Sequence, residues 1–262
     1  MFKDLKVFVI NLVEDTNKKD RIRKIFSKFS FNYRFFKACD GRKKKQSFFK
    51  GYDDRKRNLF FGRSLLQKEL GIFESHKKIL QKIIKNNYRY TLIFEDDISI
   101  DHKFEKYLIK ILNINYDWDL IRFIDGKKLK NKGRKILDLG ENIYIKRYPN
   151  LYGGAHAYLI SLNGAKKLLE LTKNYYYPID LLMGQTWKNN LNSLICNPGL
   201  VWQEPSFNID PPGSQRFIKK RKNQLGLYPF TRFIFKIYES FSKWVFYIFK
   251  FIPDLFLKKI TK

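Results

Sequence analysis

Only two of the 262 residues are cysteine, Cys39 and Cys196. They can form one bridge at most, which excludes a disulfide framework and a cysteine-rich zinc site. Acids are scarce too: 25 Asp and Glu stand against 53 Lys and Arg, a formal net charge of +28. No apolar run reaches the roughly 18 residues of a membrane-spanning helix. Met1 to Asn11 carries charges at Lys3, Asp4 and Lys6 and has no small-residue cleavage site, so it reads as a first strand and not as a signal peptide. Nothing demands an oxidising compartment, and a cytoplasmic protein is the expectation.

Apolar residues make up 44% of the chain and charged residues 30%, which suits a globular protein with a real core and argues against wholesale disorder. The length fits one large domain, or one domain with an appendage. The positive excess favours an anionic partner: nucleic acid, acidic lipid headgroups or a phosphorylated small molecule. The richness in Lys, Asn, Ile, Phe and Tyr is also what an AT-rich gene encodes, so part of the charge can be compositional.

Strand and helix patterns alternate. Lys6 to Leu12 is a short apolar run ending in a polar residue, a buried strand of a largely parallel sheet. A helix over Asp15 to Phe29 and a strand over Tyr33 to Lys37 follow, which opens an α/β fold. Residues 42 to 58 hold eight Lys or Arg and no aliphatic residue and read as a basic surface loop. Further helices are expected over Leu65–Asn86, His102–Leu112, Asn163–Lys173 and from Pro178. Further strands are expected at Tyr90–Phe94, Leu120–Ile124, Tyr144–Arg147, Tyr158–Ser161, Ser193–Cys196 and Val201–Glu204. Lys127 to Lys135 and Arg216 to Lys222 are two more basic clusters.

Three features carry chemistry. Glu95-Asp96-Asp97 closes an apolar strand, and ligands of open α/β sheets bind beyond the carboxyl ends of strands. Oxygen ligands alone suit Mg²⁺ or Mn²⁺, which bind through one or two carboxylates plus substrate phosphates. The other reading is a solvated turn capping the helix near His102. His76 is either a satisfied core histidine or a substrate contact. Asn11 can read a base edge with its amide, and Arg21 on the next helix can reach phosphate.

Read in order, these features resemble glycosyltransferase family 25, the lipooligosaccharide and collagen galactosyltransferase family. The resemblance lies in Val9-Ile10-Asn11-Leu12 with Arg21, in Phe36-Lys37-Ala38-Cys39-Asp40-Gly41, and in Gly71-Ile72-Phe73-Glu74-Ser75-His76. It continues in Ile93 to Asp97, in Gly154 to Ser161 with Gly164 to Leu169, and in Pro178-Ile179-Asp180, covering about residues 6 to 215. Ile72 stands where the family usually has Cys, Phe73 where it often has Tyr or Leu, and Val13 to Lys19 lacks the usual arginine-rich pattern.

The resemblance implies a GT-A-like, Rossmann-type nucleotide-sugar-binding domain over residues 1–225. It implies inverting transfer of a hexose, with UDP-galactose the first donor to expect, onto a lipooligosaccharide or lipopolysaccharide glycan. It implies Mn²⁺ (or Mg²⁺) on Asp97. Glu95 would orient ribose, donor sugar or metal-bound water, with Asp96 beside it. His76 would touch nucleotide or donor sugar, and Gly153-Gly154 would let the chain pass close to a sugar ring. Asp180 is the candidate general base; an N-cap aspartate is the alternative. The expected partners are a nucleotide-sugar donor, a lipid-linked oligosaccharide acceptor and an anionic membrane surface, with no nucleic acid. Two other classes compete: a basic nucleic-acid-binding protein using its 16 Tyr and 25 Phe for stacking, and an inactive member of the fold.

Residues 226–262 differ in character. Phe230, Phe233, Ile234, Ile237, Phe241, Trp244, Val245, Ile248 and Ile252 recur at steps of three and four and form a stripe about 120° wide. Arg232, Lys236, Glu239, Lys243 and Lys250 fall on the other side, and Pro253 is expected to end or kink the helix. This is either a basic amphipathic membrane-associating tail, peripheral on the inner face of the bacterial cytoplasmic membrane, or a helix packed on the domain.

Overall fold

The computed structural model describes residues 2–124, 133–148, 153–204 and 227–257. The cluster Arg216 to Lys222, most of Lys127 to Lys135 and the basic residues at the extreme C-terminus lie outside them. Strand β1 (Leu5–Asn11), helix α1 (Thr16–Phe26) and strand β2 (Arg34–Lys37) open the chain. They are followed by α2 (Asp54–Phe61), α3 (Gln67–Lys85), β3 (Tyr90–Glu95), β4 (Ile98–Ile100), α4 (Phe104–Leu112) and β5 (Leu120–Arg122). The second half runs β6 (Arg134–Gly140), β7 (Ile143–Arg147), β8 (Ala157–Ser161), α5 (Leu162–Leu171), α6 (Ile179–Gly184), α7 (Thr186–Asn189), β9 (Ser193–Asn197), β10 (Val201–Gln203) and α8 (Tyr228–Leu257).

Eight strands form one sheet in the order β2-β1-β3-β8-β5-β9-β7-β6, and β4 pairs with β10 in a small separate ladder. The expectation of a largely parallel sheet needs correction. β1 is parallel to β2 and β3, and β5 to β9, but β8 is antiparallel to both its neighbours, and β7 to both of its own. A parallel and an antiparallel strand buried on both faces carry the same continuous apolar run, so composition does not separate them.

The period of two along the central strands sorts their side chains onto two faces. Val7, Val9, Leu92 and Phe94 face one layer, with Ile22 and Phe26 of α1 and Phe104, Leu108 and Ile111 of α4. Phe8, Ile10, Ile93, Tyr158 and Ile160 face the other, with Leu70, Phe73, Ile79 and Leu80 of α3 and Leu168 of α5. The result is a three-layer α/β/α arrangement. Both cysteines are free.

Three local expectations change. Residues 42 to 58 are not a plain loop: two short 3₁₀ turns lead into α2, where Asp53 caps the helix by accepting from the Lys56 N–H at 2.9 Å. The apolar face of α2 is aromatic and late, at Phe60 and Phe61, so a search for aliphatic periodicity passes over it. Arg134 to Gly140, whose first two residues fall inside an expected basic loop, forms the edge strand β6 paired with β7. Helix α8 runs on through Pro253 to Leu257.

The first turns of α8 are built into the domain. Phe235 is 7% exposed and stacks on Phe60 with ring centroids 4.5 Å apart. The guanidinium groups of Arg57, at 4.1 Å, and Arg232, at 4.7 Å, both lie over the Phe61 ring. The Thr231 hydroxyl donates to the Leu59 carbonyl at 2.5 Å.

Candidate functional site

β1, β3 and β5 point the same way, so Asn11, the acidic triplet and Arg122 come to one edge of the sheet. The antiparallel β8 brings its own beginning, Gly154 to His156, to that edge. The carboxylates there have unequal surroundings. Asp96 is held on both sides: it accepts from Asn11 Nδ2 at 2.9 Å and from Lys18 Nζ at 3.1 Å. Burial pushes the Asp96 carboxyl above the usual range, partly offset by Lys18 and Asn11. Burial also pushes Glu95 up, but the adjacent His76 imidazole, with His156 and Lys18, outweighs it and holds the group below the usual range.

Asp97 is the strained member. Its Oδ2 accepts from Gln203 Nε2 at 3.1 Å, while its Oδ1 is buried and has no hydrogen-bond partner among the described residues. Burial, then the charges of Glu95 and Asp96, raise its pKa to about 6. A buried carboxylate oxygen without a donor, beside two more carboxylates, is costly unless a cation or a donor meets it.

His76 lies behind Glu95 rather than in front of it. It is fully buried on α3, with Nδ1 2.8 Å from the Tyr158 hydroxyl and Nε2 3.5 Å from Glu95 Oε1. With no exposed surface, it positions the carboxylate and offers nothing to a sugar or base. The rest of its sequence block has a packing task. The Ser75 hydroxyl accepts from the Cys39 N–H and donates to the Gly71 carbonyl, both at 2.8 Å. A Cβ on Gly71 would lie 2.5 Å from Gly41 N and 2.6 Å from Cys39 O. Two sequence blocks thus meet backbone to backbone. Gly71→Ala raises helix propensity, yet the clash is with main chain that cannot step aside. The variant should lose about 1–3 kcal/mol, read as a lower urea midpoint at unchanged slope.

Asp180 lies in the first turn of α6, but it is not the N-cap; Pro178 holds that position. Its Oδ1 accepts from the Leu181 N–H at 2.8 Å, and its Oδ2 from the Gly154 N–H at 3.1 Å. Gly154 has φ +120°, and a Cβ on Gly153 would come within 2.4 Å of Asp180 Oδ2, so both glycines are needed for this approach. Behind the turn lies Arg122, fully buried at the end of β5. Burial lowers its pKa to about 10, and the charge of Asp180 works in the opposite direction. His156 sits between the two halves: burial lowers its pKa, Glu95 raises it and Arg122 lowers it further.

The structure therefore brings Asn11, Glu95, Asp96, Asp97, Gly153, Gly154 and Asp180 to one edge. Two expected substrate contacts have other partners. The Asn11 side chain is 3% exposed, and its amide nitrogen is spent on Asp96 and the Asp15 carbonyl. Arg21 donates to the Ser99 hydroxyl at 2.9 Å and lies 3.4 Å from Glu204, tying α1 to β4. Lys18 and Arg122 leave little trace in the sequence, and His156 and Tyr158 stand there only as members of the Gly154 to Ser161 block. Arg122 left one signal, a cation inside an otherwise apolar strand.

Among the described residues, no group of three or more His, Cys, Asp or Glu side chains converges as a closed metal cage. Asp97, with its unmet oxygen and Glu95 alongside, fits the other kind of site, where a hard divalent cation takes one or two carboxylates and completes its shell from substrate phosphate and water.

The fold is a mixed α/β sheet with an acidic triplet and a carboxylate clamped on a glycine turn at one edge, the edge where ligands of open α/β sheets bind. The family model described as glycosyltransferase family 25 (LPS biosynthesis protein) matches residues 4–183, and the chain belongs to that family. It is 30% identical over 175 residues to a glycosyltransferase 25 family member of Aedes aegypti, covering 63% of this chain and 28% of that protein. It is 30% identical over 173 residues to human procollagen galactosyltransferase 2, covering 63% and 27%. It is also 29% identical over 181 residues to a rat protein described as a probable inactive glycosyltransferase 25 family member 3, covering 63% and 29%. The match thus spans little more than a quarter of each relative's length. Helix α8 lies outside the family match.

Proposed function

We propose that the chain is a GT-A-like, inverting glycosyltransferase that moves a hexose from a nucleotide diphosphate sugar to a glycan hydroxyl. UDP-galactose is the first donor to test, and a lipid-linked lipooligosaccharide or lipopolysaccharide glycan is the acceptor. Such an acceptor would be met at the inner face of the bacterial cytoplasmic membrane. The observation that carries this reading is Asp97: a half-buried carboxylate with a pKa raised to about 6 and one oxygen unmet, at the end of the strand where a diphosphate would bind.

Mn²⁺ or Mg²⁺ held by Asp97, with Glu95 beside it, would supply the positive charge that stabilises a departing diphosphate. The chain's own residues prepare the place. His76 fixes Glu95 from behind, and Asn11 and Lys18 fix Asp96, so the triplet keeps one geometry. Asp180 holds the Gly153-Gly154 turn and keeps unused lone pairs on both oxygens, enough to accept the proton of an acceptor hydroxyl. The hydroxyl then attacks the anomeric carbon from the face opposite the diphosphate, through a transition state with oxocarbenium character by analogy with glycoside hydrolysis.

The test is a panel of nucleotide sugars with Mn²⁺, scored for sugar release and for protection against heat. Donor hydrolysis confined to UDP-hexoses, together with a rise in melting temperature by UDP that disappears in EDTA, is expected. Protection without turnover of any sugar would mark a family member that binds and does not transfer. Salt-dependent binding to random DNA with no effect of any nucleotide sugar would overturn the proposal.

A further inference from the structure

Helix α8 is docked the wrong way round for a helix whose only task is to pack. A surface helix ordinarily turns its apolar stripe to the core and its charges to water. Here Tyr228, Arg232, Phe235 and Glu239 face the domain. At about 100° per residue they lie on one side of the helix, and the apolar stripe lies diametrically opposite. Arg232 and Glu239 are turned inward together, 3.9 Å apart, while Phe230, Phe233, Ile234, Ile237, Phe241 and Trp244 are each between 51 and 66% exposed. The ridge they form is about 20 Å long. Ordinary surfaces rarely expose apolar area so concentrated without a partner for it.

We propose that this ridge is a docking surface for an anionic lipid bilayer, on which the helix lies flat with the domain above it. Charge and shape choose that occupant. Glu239, the one acid of α8 up to Phe249, is turned inward, so the outward arc carries no negative charge. Lys236, exposed, borders the ridge beside Phe233, Ile237 and Phe241, while Lys243, half-buried, lies nearer the domain-facing side. Aromatic rings dominate the ridge, and Trp and Phe on a helix with basic flanks are the composition of an in-plane interfacial helix. No helix among the described residues is long and apolar enough to cross a membrane, so the contact is peripheral. A second copy of this chain fits the ridge poorly, because two molecules of net charge +28 repel each other. The inference rests on the placement of α8 alone and is independent of glycosyl transfer.

The test is flotation of the full chain with phosphatidylglycerol–phosphatidylcholine vesicles, beside vesicles of phosphatidylcholine alone. Deletion of α8 is the wrong variant, because Phe235 belongs to the core. The triple variant Phe233→Ser, Phe241→Ser, Trp244→Ser changes only exposed side chains and should melt where the parent melts. The parent should float with the anionic vesicles at low salt and fall off as salt rises; the variant should bind roughly tenfold more weakly or worse. Failure of the parent to float, or equal flotation of the variant, would overturn the proposal. So would a parent that is dimeric in lipid-free buffer and made monomeric by the triple substitution, since the ridge would then serve a second copy. If the variant melts lower, Lys236→Glu with Lys243→Glu in the parent is the second arm: unchanged flotation of that pair on anionic vesicles would equally overturn it.

Discussion

Asp97→Asn should lower the rate of sugar transfer by about 10²–10³-fold, the range seen when one preorganised charge-stabilising contact is lost. The amide keeps the volume and can still meet Gln203, but it removes the charge that a divalent cation needs. The same substitution should not weaken the metal-free protein. In the native chain, burial and the charges of Glu95 and Asp96 work against an ionised Asp97, which is why its pKa rises to about 6. A neutral amide relieves that repulsion, so the variant should melt no lower than the parent in EDTA. It should also lose the extra melting temperature that Mn²⁺ with UDP gives the parent. Full turnover in the variant, or full turnover of the parent in EDTA, would remove the metal from the proposed mechanism.

Asp180→Asn should cost roughly 10²–10⁴-fold in transfer, the span of one general base, with UDP binding nearly unchanged because in the proposed mechanism the residue meets the acceptor hydroxyl and not the donor. Some stability will be lost as well. Both carboxylate oxygens accept backbone N–H bonds, from Leu181 and Gly154, and an amide has only one acceptor oxygen to offer them. That loss is about 1 kcal/mol, small against the kinetic effect. The decisive pair of numbers is kcat and the melting temperature of one purified variant. A lower melting temperature with unchanged kcat would make Asp180 the clamp of the glycine turn and nothing more. Asp180→Glu should not rescue, because Gly153 leaves no room for a longer side chain beside Oδ2.

Much of the architecture was legible because the central strands and α3 are strongly periodic, and periodicity survives whatever the tertiary structure does. The direction of β8 was not, since pairing sense leaves no trace in an apolar run buried on both faces. Helix α2 was missed because its buried face is two phenylalanines and an arginine. At the site, the residue types were visible but their tasks were not. Asn11 and His76 looked like substrate contacts because a polar residue in an apolar setting signals function. The same signal is produced by a residue that holds a functional neighbour in place, and only burial separates the two cases. On α8 the spacing places Phe230 to Trp244 along one side, but spacing alone does not say which side the domain takes.

The antiparallel entry of β8 between β3 and β5 also has a consequence for the nascent chain. β2, β1 and β3 with α1 and α3 can assemble as soon as residue 97 has left the ribosome, which puts the acidic triplet beside Asn11 early. The far side of β3 must then wait for residues 157–161, and the glycine turn for Asp180. Through that interval Leu92 to Phe94 line an open, unpaired edge, the kind of surface that recruits foreign strands. Ribosomal pausing or premature termination between β3 and β8 would therefore leave half a site on a sticky sheet, and expression at lower temperature or with a holdase should raise the yield of complete molecules.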